Sequence, residues 1–123
     1  ALRRTYGIPD NAHVVSACGT FDFRKAPDLF LQVAARIKRT SKQGRPFRFL
    51  WIGSHNSPDL VRLIREDARK LGMQDEVLLV GELASPHGLI ALSDVFCLTS
   101  REDPFPLIML ESALLKRPVL CFS

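Results

Sequence analysis

HVVSACG at residues 13–19, FRFLWIG at 47–53 and VLLVG at 77–81 are short apolar runs, each closed by glycine. Runs of this length between turn residues read as buried strands. Stretches of helical period separate them. Residues 27–43 place Leu29, Phe30, Val33, Ala34 and Ile37 on one face at i, i+4, i+8 spacing. Pro27 suits a first helical position, Arg36, Lys38, Arg39 and Lys42 complement the helix C-terminus, and Gly44 stops it. Ser57-Pro58 gives an N-cap and a first-turn proline, and the helix it opens turns Leu60, Leu63, Ile64, Ala68 and Leu71 inward as far as Gly72.

The alternation continues downstream. Ser85-Pro86 repeats the cap signature before a short helix ending near Leu92; 94–99 reads as strand four, 106–116 as a fourth helix and 119–122 as a fifth strand. The series βαβαβαβαβ with short connections predicts an α/β, Rossmann-like domain: a mainly parallel five-stranded sheet with helices on both faces. Right-handed crossovers leave few topologies, of which strand order 3-2-1-4-5 is expected.

The totals agree with one domain over residues 1–123: 46% of them are apolar and 24% charged, as in ordinary globular proteins. The chain starts Ala1-Leu2-Arg3-Arg4 and stops on a strand with nothing to cover it, so a domain incomplete at both ends is expected. A net charge of +4 and a pI near 9.3 suit an anionic ligand. The cations are dispersed, without the aromatic-interleaved basic stripe of a nucleic-acid binder. Cys18, Cys97 and Cys121 each lie in a strand-like run without metal-type spacing, and read as buried thiols in a reducing, cytoplasmic compartment. No run approaches a membrane span in length and no signal peptide is visible. His13, His55 and His87 lack metal-like spacing and read as surface or loop residues, and Trp51 reads as core. Dinucleotide-binding, P-loop and nucleophile-elbow glycine motifs are all missing.

In an open parallel sheet the ligand crevice lies beyond the strand carboxyl ends where the order reverses, here between strands one and four. The loops leaving those strands, TFDFRKA (20–26) and SREDPF (100–105), are both highly charged. Arg24 and Lys25 precede a helix start, where cations oppose the helix dipole. An anion held between them and the helix N–H groups reverses that sign; otherwise the loop is solvated, with Asp22 or Asp28 as partner. Glu111 sits in a helix that is apolar nearly all round, so its carboxylate needs partners. Those are an Arg or Lys, solvent at the first turns, or the vicinal hydroxyls of a sugar. Asp103 is either a helix cap or a second acid facing the same crevice. Gly19, Gly53 and Gly81 either make turns or let a ligand approach the backbone.

Thr99–Ala113, TSREDPFPLIMLESA, resembles the signature of retaining GT-B glycosyltransferases of the "glycosyl transferases group 1" family, with its two acids separated by seven positions. Asp103 stands where the family usually has Glu. GTFDFRK, residues 19–25, resembles the first loop of that family, whose Arg and Lys hold the donor diphosphate. Lys25 matches the Lys, Thr20 replaces the Arg, and Arg24 is the cation available to substitute. Pro106 replaces a common Gly. The resemblance runs along nearly the whole chain, from Tyr6-Gly7-Ile8-Pro9 to RPVLCFS. It implies the donor-binding C-terminal half of such an enzyme, a UDP- or GDP-type sugar donor, no cofactor or metal, and transfer with retention. Glu111 then binds the ribose hydroxyls, Asp103 the transferred sugar, and the backbone at Glu82 and Leu83 the base. Phe105 and Leu107 lie at the sugar and phosphate, with Gly19, Thr20, Gly53 and Pro106 completing the donor site. The acceptor, a sugar, lipid or polysaccharide, belongs to a missing N-terminal domain, and the parent enzyme can sit at the inner face of a membrane. The fragment alone is expected to be inactive. A non-catalytic nucleotide- or phosphate-binding module of the same fold is the alternative.

Overall fold

The computed structural model describes residues 2–22, 24–41, 44–54, 57–99, 116 and 118–121. Its elements are α1 (Leu2–Thr5), β1 (His13–Cys18), α2 (Pro27–Thr40), β2 (Phe47–Ile52), α3 (Pro58–Lys70), β3 (Val77–Gly81), α4 (His87–Leu92), β4 (Val95–Leu98) and β5 (Val119–Cys121). They form a five-stranded, all-parallel sheet in the order β3-β2-β1-β4-β5. The expected Rossmann-like architecture and order are therefore what the chain adopts. β1 is central: the chain moves outward through β2 and β3, then returns to lay β4 along the other side of β1.

Alternation along β1 divides the core. Val15 and Ala17 pack with Trp51, Phe30, Ala34, Ile64 and Ala68, so α2 and α3 cover one face. Val14, on the opposite face, joins Leu50, Ile52 and Phe96 beneath Leu89 and Ile90 of α4. Lys38 near the end of α2 is ion-paired with Glu76 in the turn before β3, linking the helix end to the sheet edge.

Several local expectations change. Leu63 and Leu71 are 54% and 51% exposed, not inward. α3 lies over the edge of the sheet and buries only a narrow stripe, Ile64 and Ala68; Leu63 is one 100° step off it. Leu71 lies past the last turn, and Met73, 1% exposed, closes the helix end instead. The second Ser-Pro pair is not a cap: α4 starts at His87 with Pro86 at the N-cap and no side-chain bond. Ser85 Oγ lies 3.2 Å from His87 Nδ1. The short α1 carries no periodicity and was not expected. α2 ends at Thr40, before the expected boundary at 43. The expected fourth helix lies outside the described residues, except that Lys116 is in a left-handed turn with φ 60°. His13 is half-buried at the start of β1, its ring 5.2 Å from that of Phe47, while His87 is exposed.

Candidate functional site at the strand carboxyl ends

The glycines that close the first three strands stand in a row. Gly19 N–H donates to Ile52 C=O at 2.9 Å, and Gly53 N–H to Gly81 C=O at 2.8 Å. Gly53 is required by contact: a Cβ there would lie 1.8 Å from the Gly19 carbonyl oxygen. That oxygen also accepts the indole N–H of Trp51 at 3.0 Å. A buried indole needs such an acceptor, and this one anchors the first residue of the β1–α2 loop.

The loop is then built from its own side chains. Phe21 is fully buried, edge-on to Trp51 with ring centroids 5.8 Å apart, and its N–H donates to Ser54 C=O at 2.9 Å. Asp22 accepts the Lys25 backbone N–H on its carboxylate at 2.9 Å, and its carbonyl accepts the Ala26 N–H at 3.2 Å. Asp22, one of the two acids weighed as a partner for the cations, thus shapes the turn through the Lys25 main chain. Ala26 takes a left-handed conformation, φ 62° and ψ 57°, and α2 opens at Pro27 with no side-chain cap. From β4, Thr99 Oγ1 donates to the Ala26 carbonyl at 3.2 Å.

This geometry turns the Lys25 stem back over β1. A Cβ placed on Gly19 would be 3.2 Å from Lys25 Cδ and 3.3 Å from Cγ. Lys25 is half-buried and Arg24, beside it, is exposed. Gly19, Thr20, Lys25 and Gly53 therefore come together at the carboxyl ends of β1 and β2, next to the position where strand order reverses. Glu82, exposed, and Leu83, half-buried against the α4-side core, follow β3 on the far side of β2. Asp103, Phe105, Pro106, Leu107 and Glu111 lie outside the described residues.

A cation just before a helix N-terminus that has no side-chain cap, in a loop held by backbone bonds, is suited to an anion: the helix dipole and the ammonium then act together. Trp51 and Thr99 were missed as supports of this loop; a buried indole N–H and a hydroxyl at a strand end were the available signals. Thiol chemistry at Cys97 is disfavoured, because burial pushes that thiol up to about 11. Among the described residues no cluster of three His, Cys, Asp or Glu could hold a metal, and no helix is long and apolar enough to cross a membrane. A hollow of about 660 Å³ runs along α3, away from this rim. Two of its arginines, Arg62 and Arg69, are already paired with Asp59 and Glu66 of the same helix.

Comparison with known proteins gives a consistent picture. The family model described as "Glycosyl transferases group 1" matches residues 12–123. A D-inositol 3-phosphate glycosyltransferase from Stackebrandtia nassauensis is 31% identical over 126 aligned positions, covering 98% of this chain and 28% of that protein. The O-antigen biosynthesis glycosyltransferase WclY of Escherichia coli is 28% identical, covering 96% and 31%. The Anabaena protein HepE, crystallised with UDP and glucose, superposes with a TM-score of 0.83 at 22% identity, over 96% of this chain and 31% of its own. The chain thus spans about three tenths of the length of these relatives.

Proposed function

The chain belongs to the glycosyl transferases group 1 family, and from that premise we propose that it forms the donor-binding part of a retaining GT-B glycosyltransferase. The donor is a nucleoside-diphosphate sugar, of which UDP-sugars are the first to test. In this reading Lys25 and Arg24 receive the diphosphate, Glu111 the ribose, Asp103 the transferred sugar, and the backbone at Glu82 and Leu83 the base. A partner domain elsewhere in the parent protein holds the acceptor hydroxyl.

The chemistry follows from charge. Cleavage of the bond between the anomeric carbon and the phosphate oxygen leaves negative charge on the departing diphosphate. Fixed cations and helix N–H groups stabilise that charge without reorganising. Lys25, Arg24 and the helix expected after Pro106 supply these groups, so no metal is needed for the step. The observation that carries the proposal is the Lys25 stem lying over Gly19 at the end of β1, where the sheet presents its crevice.

Lys25→Ala in the full-length enzyme should lower turnover by on the order of 10²–10³. A near-normal rate with folded protein would remove Lys25 from the mechanism. Thr20, where the family usually has Arg, favours a second reading: a non-catalytic module that binds the nucleotide but never transfers. A parent protein that binds UDP- or GDP-sugars and glycosylates no acceptor would establish it.

A further inference from the structure

Among the described residues the cation-bearing loop is held from within, from β2 and Ser54 after it, from α2, and across the crevice by Thr99 at the end of β4. Ala26 is fully buried, and its left-handed backbone is one that a residue with a Cβ keeps only where its surroundings impose it. Its N–H is held by Asp22 C=O at 3.2 Å, and its carbonyl accepts the Phe30 N–H at 3.1 Å. Both partners belong to the loop or to α2 and move with it. The third partner is Thr99, 4% exposed, whose hydroxyl lies 3.2 Å from Ala26 O and 3.5 Å from Lys25 O. Thr99 follows β4 directly and precedes Asp103 by four positions in the chain. One hydroxyl therefore touches the main chain of the two residues that set the course of the Lys25 side chain.

We propose that Thr99 is a positioning residue: its hydroxyl fixes the Lys25–Ala26 backbone in the conformation that lays Lys25 over Gly19, and so sets affinity for the diphosphate of the donor. The inference rests on the donor reading above and adds to it a residue that touches no ligand. Without the hydroxyl, the bonds at Ala26 among the described residues come from Asp22 of the loop and Phe30 of α2, both within a few positions of it in the chain.

The test compares the full-length wild type with Thr99→Val, which keeps the shape, and Thr99→Ser, which keeps the hydroxyl. Two quantities are read: UDP and GDP affinity by calorimetry, and amide hydrogen exchange without ligand. Thr99→Val should speed exchange roughly three- to tenfold at residues 25–30, the equivalent of one hydrogen bond, and leave β2 and β3 unchanged. Nucleotide affinity should fall by a similar factor, with Thr99→Ser within about twofold of wild type. Unchanged exchange and affinity in Thr99→Val overturn the proposal. So does faster exchange spread evenly over all strands, which marks a merely structural residue. A wild type that binds neither nucleotide overturns the donor reading and the affinity half of this inference; the exchange measurement still decides whether Thr99 holds the loop.

Discussion

Gly53 shows what a single residue can require. The clash expected of a Cβ there involves the Gly19 carbonyl oxygen at 1.8 Å and its carbon at 2.6 Å, both backbone atoms that cannot swing aside. Gly53→Ala should therefore part the ends of β1 and β2 and cost about 3 kcal/mol, at the upper end of overpacking penalties. Gly44→Ala, with nothing within 4 Å of the new methyl, is the control and should be near neutral. Urea denaturation of both variants checks this; equal midpoints would show that the strand ends yield easily. The sequence marked Gly53 as a strand end and left open whether it served a turn or a ligand. The contact that decides it joins residues 19 and 53, and no local pattern encodes a close approach at that separation. Lys25 was legible for the opposite reason: a cation before a helix start is a local conflict, visible in consecutive residues.

Elements were legible where pattern and burial coincide. All five strands were placed from apolar runs, the first three ending in glycine, with boundaries within two residues of those observed. The two Ser-Pro pairs show the limit. Ser57 is extended, φ −127°, and its Oγ accepts the Leu60 N–H at 3.3 Å, a true cap for α3. Ser85 has the same neighbour, yet α4 begins two residues later and Ser85 pairs with the His87 ring. Ser57→Ala should cost about 1 kcal/mol, while Ser85→Ala should be close to neutral. Thermal melts that lower both equally would contradict the distinction. Leu63 and Leu71 failed as inward residues because helical periodicity gives a face but not its width. That width depends on how far α3 overhangs the sheet edge.

At the scale of the molecule, the central position of β1 makes the topology readable, since only a few orders satisfy right-handed crossovers. Half of the candidate site is now placed on that frame: the cation loop, the glycine row and the segment after β3. The acids Asp103 and Glu111 fall outside the described residues, so their convergence with Lys25 remains part of the proposal. The frame also has a pH signature. Cys97 in β4, 1% exposed, is held protonated by burial up to about 11, against an ordinary thiol near 8.5. The folded state thus binds more protons than the unfolded state between these values, and stability falls as pH rises through that window. Wild type should lose about 2–3 kcal/mol more than Cys97→Ala between pH 8 and 11, the difference that urea titrations of both at the two pH values determine. One further consequence comes from Trp51. It is the single tryptophan of these 123 residues, and its indole hydrogen is bonded to the Gly19 carbonyl. Its emission therefore carries an optical record of that carbonyl, so occupancy of the neighbouring crevice can be followed in this chain without attaching a dye.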